Sequence, residues 1–281
     1  MLEITGTTRI FPVIGWPVEQ VKAPTLFNAY FQRHGIDARV IPLKVAPQGY
    51  VAAVRLLMGI ENVGGIFVSI PHKPMSVEAV DVPSSRALLA GSCNAIYKDA
   101  DGRIIGDLID GEGFVRALDR TLAGAPFNWS GARALVVGSG GVGCAVAEAL
   151  AVRGIAEVAI CDNRIELASA LRGRLQAAFP ACHVAEGRPV AEGYDLVVNC
   201  TPLGMHADDA MPIDLRGVSS ECIVADCGMK IEMTKLLVEA QRLGCRIQKG
   251  KEMLIEQAPL YLALFGWPGV SSDEFRELGA L

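Results

Sequence analysis

The run Gly138-Ser139-Gly140-Gly141-Val142-Gly143 constrains this chain more than any other stretch of it. Glycines at G-x-G-x-x-G spacing serve three mechanical tasks: a tight turn, close approach of backbone to a pyrophosphate, and close packing of a helix on a strand. Alone the spacing is a weak signal, shared with any glycine-rich turn. Its surroundings make it specific. Arg133–Val137 reads as a strand before it, Cys144–Arg153 as a helix after it, and Val158–Cys161 as a second strand ending at Asp162. A helix opening at such a turn points its N-terminal amides and positive dipole end at phosphate groups. The expectation is a β-α-β unit that binds a dinucleotide.

Asp162 bears on which dinucleotide. A carboxylate about 20 residues beyond the glycines accepts hydrogen bonds from ribose hydroxyls and repels a 2′-phosphate. Arg164, two positions on, offers the opposite preference by pairing with that phosphate, but reads as a solvent-facing arginine at a helix start. NAD is therefore expected over NADP, with Ser139, Gly141, Val142, Asn163 and Arg164 completing this end of the site.

The chain has 281 residues, more than one hydrophobic core usually serves. Its first hundred residues alternate strand and helix patterns. Arg9–Gly15 is a strand, Ala23–His34 a helix stopping at Gly35, Ala38–Leu43 a strand, and Tyr50–Met58 a helix ending at Gly59. Gly65–Ile70 is a third strand running into Pro71-His72-Lys73-Pro74. That rhythm implies a mostly parallel sheet with helices on its faces. Asp110–Leu122 reads as a helix followed by a loop over Ala123–Ser130. Ile165–Phe179 is helical, Leu196–Asn199 and Cys222–Ala225 are short strands, and Met253–Phe265 is an apolar helical tail.

Composition narrows the function. Mean hydropathy is +0.33, yet the uncharged stretch Ala134–Ala147 falls short of the roughly 20 apolar residues a membrane span needs. The net charge of −5 carries no basic block, against nucleic acid as a partner. Glu3, Pro12 and Gly15 interrupt any secretory leader pattern. Eight cysteines without a C-x-x-C pair read as reduced thiols of a cytoplasmic protein. His34, His72, His183 and His206 lack ligand spacing, so no metal is expected.

Hydride chemistry on an alcohol needs a group that takes or gives the hydroxyl proton. Lys73, after an apolar strand, and Asp110, at an expected helix start, are candidates, although a surface lysine and an N-cap aspartate are the plainer readings. A resemblance lifts both. Val13-Ile14-Gly15-Trp16-Pro17, Val68-Ser69-Ile70-Pro71-His72-Lys73, Gly91-Ser92-Cys93-Asn94-Ala95-Ile96 and Gly106 to Gly113 occur in that order. The glycine loop, Asn199-Cys200-Thr201-Pro202-Leu203-Gly204-Met205 and Gly250 to Gln257 follow. Together they resemble the shikimate dehydrogenase family, including its quinate-using and divergent branches.

The resemblance implies an α/β fold with an N-terminal substrate domain (1–109, completed by 249–281) and a Rossmann domain (110–248), with a C-terminal helix returning to the first. It implies Lys73 and Asp110 as the proton-transfer pair, with Ser69, Asn94 and Gln257 on the substrate. Cys200, Thr201, Pro202, Met205, Gly250 and Met253 would join Gly138, Gly140, Gly143 and Asp162 around the cofactor. The expected activity is NAD-dependent interconversion of a cyclic hydroxy acid (shikimate, quinate or a related compound) and its 3-keto form. A different hydroxy or amino-shikimate substrate, and a silent NAD-binding regulator, are the alternatives; a retained Lys73–Asp110 pair favours an enzyme. A homodimer is left open.

The chain also departs from the family. Its Ser-x-Ser-Pro appears here as Val21-Lys22-Ala23-Pro24, removing two hydroxyls from the carboxylate site. Gln20 and Lys22 are the replacement donors at hand. Leu108-Ile109 stand where a polar Asn-Thr pair is usual, and Met229 where a tyrosine faces the substrate.

Overall fold

The computed structural model describes residues 3–123, 125, 127–206 and 208–280. The chain divides into two compact units, Met1–Ile109 with Gln257–Leu281, and Asp110–Glu256.

The first unit holds β1 (Arg9–Gly15), α1 (Ala23–Arg33), β2 (Ala38–Lys44), α2 (Tyr50–Met58) and β3 (Ile66–Val68). There follow α3 (Ser76–Ala79), β4 (Val82–Pro83), α4 (Ser85–Ala90), β5 (Ala95–Lys98) and β6 (Ile104–Asp107). The sheet order is β2-β1-β3-β5-β6-β4. The three strands read from the sequence, β1, β2 and β3, pair in parallel as expected, and the sheet becomes mixed where β5 runs antiparallel to both β3 and β6. The cause is local. Asp99-Ala100-Asp101-Gly102 closes a hairpin in which the Asp99 carboxylate accepts the Asp101 and Arg103 amides and Gly102 takes φ +77°. Pro12 is tolerated in the interior strand β1 because β3 pairs with it only at Val13 and Ile14.

The second unit opens with α5 (Asp110–Thr121) and continues with β7 (Arg133–Val137), α6 (Gly141–Val152), β8 (Glu157–Cys161), α7 (Ile165–Ala178) and β9 (His183–Glu186). It completes with β10 (Leu196–Asn199), β11 (Ile223–Asp226), α8 (Lys235–Arg242) and β12 (Arg246–Gln248). The sheet order β12-β11-β10-β7-β8-β9 is all parallel. That is the doubly wound order whose strand reversal, between β7 and β10, leaves a ligand crevice at the carboxyl ends. Ala134, Leu135, Val136, Val197, Val198 and Val224 are fully buried, as strands covered on both faces require.

Helix α9 (Gly250–Leu264) starts in the second unit and ends in the first, and α10 (Ser272–Glu277) closes the first. Within the first unit Tyr261 and Phe265 of α9 pack on Phe67 at 4.4 and 5.1 Å between ring centroids, and Phe11 meets Phe265 at 5.0 Å. Helices α6 and α9 both begin earlier than the sequence pattern suggests, since glycine starts each. The expected loop Ala123–Ser130 includes positions 124 and 126, which lie outside the described residues, and residues 129–131 form a 3-10 turn. No helix among the described residues is long and apolar enough to cross a membrane.

Candidate active site and nucleotide cradle

The second unit's nucleotide cradle grows from the end of β7. Gly138 takes φ +101°, which side chains rarely adopt, and its amide donates to the Cys161 carbonyl at 2.7 Å. Gly140 is the N-cap of α6, and the Cys144 amide returns to its carbonyl at 2.9 Å. A Cβ on Gly143 would lie 1.8 Å from the Gly138 carbonyl oxygen, so helix and turn touch with no room for a methyl. A Cβ on Gly140 would meet nothing within 4 Å. Gly140 therefore borders open space at a helix N-terminus, a cradle that fits a pyrophosphate.

Asp162 does something other than wait for a ribose. Its Oδ2 accepts the Ser139 amide and the Ser139 hydroxyl, each at 2.7 Å. Its Oδ1 accepts the Arg164 amide at 2.9 Å and Arg164 Nε at 3.4 Å. A carboxylate has about four lone-pair sites, and four protein donors fill them here. Burial alone would raise this carboxyl, but the Ser139 and Arg164 amides and then their side chains outweigh it and hold it at about 2.

A depressed folded-state value has a definite sign. The stabilisation is full above the ordinary carboxyl range, about pH 4, and is lost as pH falls towards 2. Asp162→Asn is expected to lower Tm at pH 7, with the gap to the unaltered chain closing as the pH approaches 2. A gap that stays constant over that range would show that the carboxylate's charge is not what holds the loop.

At the end of β10, Asn199 Oδ1 accepts the Thr201 amide (3.0 Å) and hydroxyl (2.7 Å), and its Nδ2 donates to the Leu203 carbonyl at 2.9 Å. Asn199 thus shapes the Thr201-Pro202 turn. Its Nδ2 also reaches Asp226 at 3.2 Å, where Thr234 Oγ1 donates at 2.8 Å. Burial pushes the Asp226 carboxyl up against the Gly228 amide, Thr234 and Asn199, which lower it. Asp226 and Thr234 were not read as site residues from the sequence; nothing in their spacing marks a residue that braces others. Met253 is buried, Met205 half-buried, and Asn163 and Pro202 exposed.

The first unit holds its own cluster of candidate residues. Lys73 is half-buried on the turn after the cis Ile70–Pro71 bond, and its carbonyl accepts the Cys93 amide at 2.9 Å. Its neighbour His72 is buried, bonds through Nε2 to the Val45 carbonyl at 2.8 Å, and stacks on Tyr50 at 4.3 Å. That clamp fixes the backbone from which Lys73 projects. Asn94 is 1% exposed, and its Oδ1 accepts the Ile109 amide at 2.9 Å. Its buried Nδ2 has no protein partner. A buried donor left unmade costs about 1–3 kcal/mol, which suits a group meant for a ligand oxygen. Tyr261, from α9, donates to the Asn94 carbonyl at 3.2 Å and is a positioning residue the sequence did not announce.

Ser69 is half-buried and Gln257 buried in this unit, while Asp110 is the buried first residue of α5 in the second. The replacement donors fare less well. Gln20 is exposed and donates to the Pro17 carbonyl of its own turn at 2.9 Å; Lys22 is the exposed N-cap of α1.

Residues 13–96 match the family model of the shikimate dehydrogenase substrate binding domain, and residues 121–205 that of shikimate / quinate 5-dehydrogenase. The chain is 33% identical to a shikimate dehydrogenase (NADP(+)) of Rhodospirillum rubrum, with 97% of each chain covered. It is 36% identical to a shikimate dehydrogenase (NADP(+)) of Gluconobacter oxydans, over 91% of this chain and 89% of that one. The shikimate dehydrogenase structure from Aquifex aeolicus superimposes with a TM-score of 0.86 at 25% identity, covering 99% of both.

These relatives correct the expected preference for NAD, since both sequences carry NADP in their names. The geometry gives the physical reason. The Asp162 side chain is 5% exposed and saturated by its own loop, whereas Arg164 is 60% exposed beside it. The arginine, read as a bystander, is the accessible group at this strand end. The chain belongs to the shikimate/quinate dehydrogenase family of oxidoreductases.

Proposed function

We propose that this chain is an NADP-dependent dehydrogenase that interconverts a hydroxyl of shikimate, or of a closely related cyclic hydroxy acid such as quinate, and the corresponding ketone. The observation that carries the reading is the buried, unpartnered Asn94 Nδ2 in the same unit as Lys73, in a chain alike from end to end to dehydrogenases of shikimate. Asn94 and Ser69 hold ring hydroxyls, with Gln257 as a further donor. Lys73 and Asp110 move the proton of the reacting hydroxyl: an ammonium donates to the oxygen, a carboxylate accepts from it, and together they stabilise the charge that develops there.

The glycine cradle and the amides of α6 receive the pyrophosphate, and Arg164 pairs with the 2′-phosphate. When bound, NADP+ supplies the hydride acceptor. Asp162 ties Ser139 to Arg164 and would hold both in place when NADP+ is bound.

The test is a panel of shikimate, quinate and a neutral polyol with NADP+ or NAD+, followed by the absorbance of the reduced nicotinamide. Shikimate or quinate is expected to turn over, with kcat/KM for NADP+ at least about tenfold above NAD+, or roughly 1.4 kcal/mol. Arg164→Ala is expected to lower kcat/KM for NADP+ by about 10- to 100-fold, the range of a lost charge-assisted bond, and to leave NAD+ nearly untouched. Tight NADP+ binding with no turnover of any cyclic acid would instead identify a regulator.

A further inference from the structure

Cys200, expected to line the cofactor, and Cys227 exchange no proton or hydride in the reaction just described, yet the sheet brings their sulfurs together. The register of β10 on β11 sets Asn199 against Asp226, and each cysteine directly follows the last residue of its strand. The Cys227 amide donates to the Asn199 carbonyl at 2.9 Å, so the pairing persists to that point. Neighbouring strands lie about 4.7–4.9 Å apart, within the Cα separation of about 4.4–6.8 Å that a disulfide accepts. The two Sγ atoms are 3.8 Å apart. Both residues are half-buried, whereas Cys93, Cys144, Cys182, Cys222 and Cys245 are buried.

We propose that Cys200 and Cys227 are a reversible oxidation site, closed to a disulfide by a hydroperoxide, and that closure weakens NADP(H) binding at the adjoining cradle. The binding consequence rests on the function proposed above; the disulfide itself does not.

The chemistry balances with the peroxide as sole oxidant. The Cys200 thiol is held well above its ordinary range, by its hydrogen bond with Cys227 first and by burial second. With Cys227 as the attacking sulfur, Cys200 is the one that resolves. An S–O bond forms on Cys227 as the peroxide O–O bond breaks, the departing oxygen takes the Cys227 thiol proton and leaves as water, and the sulfur is oxidised by two electrons to the sulfenic acid. The Cys200 sulfur then displaces that hydroxyl. The S–S bond forms, the S–O bond breaks, and the Cys200 proton departs in water. A dithiol reductant reverses the sequence by exchange.

The coupling to the cradle follows from what the two cysteines support. A Cβ on Gly138 would lie 2.9 Å from the Cys200 carbonyl carbon and oxygen, and one on Gly143 would lie 3.3 Å from Cys200 Cβ. A Cβ on Gly250 would lie 3.0 Å from the Cys227 carbonyl carbon. The backbones flanking both sulfurs are therefore the floor on which the glycine turn and the start of α9 rest. Disulfide formation brings sulfurs now 3.8 Å apart to about 2.05 Å. With contacts this close, the floor moves with them.

The experiment exposes the full chain to hydrogen peroxide, then follows three readouts: intact mass, the linked peptide, and NADPH affinity by fluorescence. The unaltered chain is expected to lose two hydrogens, to yield a Cys200–Cys227 peptide, and to bind NADPH at least about tenfold more weakly. Dithiothreitol restores all three. Cys227→Ser, which leaves the reaction machinery intact, is expected to keep its NADPH affinity through the same treatment; Cys227→Ala serves if serine disturbs folding.

Oxidation that yields no Cys200–Cys227 peptide overturns the site. A clean disulfide with unchanged NADPH affinity overturns the coupling. Reduced protein that never binds NADPH removes the function proposed above, and the coupling with it, while mass still reports the disulfide.

Discussion

Lys73→Ala is expected to lower kcat by about 10²- to 10⁴-fold, the contribution of a positioned acid–base group, with NADPH binding changed by less than about twofold. If the lysine acts on the reacting hydroxyl in the transition state only, kcat and kcat/KM fall together; a selective rise in KM would mark it as a mere binding contact. The scaffold allows a clean reading. The turn that presents Lys73 is held by His72 on the Val45 carbonyl and by the Cys93 amide on the Lys73 carbonyl, neither of which uses the lysine side chain. Tm is therefore expected to stay close to that of the unaltered chain.

Lys73→Arg sharpens the test. Arginine keeps the charge but cannot release its proton near neutral pH, so it should restore little activity if proton transfer is the role. Lys73→Ala retaining kcat within about threefold would remove Lys73 from the mechanism, since acid–base groups contribute more than that.

How much of this could be read without coordinates depended on how local each feature is. The glycine turn, its strand and its helix are contiguous, so periodicity and spacing located β7 and α6. The start of α5 at Asp110 was legible for the same reason. The β5–β6 hairpin was not, because four-residue strands carry too few positions for alternation to register. Nor did spacing report what fills the Asp162 carboxylate. Its partners are an amide and hydroxyl 23 positions earlier and an arginine two positions later, and the position alone looked like a ribose ligand. That single occupancy turned the cofactor expectation the wrong way. The missing Ser-x-Ser was visible at once, but the sequence left open whether Gln20 replaced it; its bond to the Pro17 carbonyl commits that amide to its own turn.

Paired alanine substitutions in the glycine loop are expected to separate folding from cofactor binding. Gly143→Ala places a methyl 1.8 Å from the Gly138 carbonyl oxygen, and backbone cannot swing aside as a flexible side chain can. Overpacking costs about 1–3 kcal/mol, and a rigid contact puts this variant at the upper end. A Tm drop of roughly 6–12 °C follows from about 2–4 °C per kcal/mol for chains of this size class. The same displacement spoils the cradle, so NADPH binding is lost with it.

Gly140→Ala is the decisive partner. Its φ of −72° with ψ of −173° suits any residue, and its methyl meets no protein atom within 4 Å. Tm should be unchanged. Yet the methyl enters the space assigned to the pyrophosphate, and the Kd for NADPH is expected to rise by about 100-fold, roughly 2.7 kcal/mol. Because nothing in the protein forbids alanine there, only a ligand can account for such a loss. A Gly140→Ala protein that binds NADPH as the unaltered chain does would mean that the phosphates lie elsewhere. The open space at the N-cap of α6 would then need another explanation.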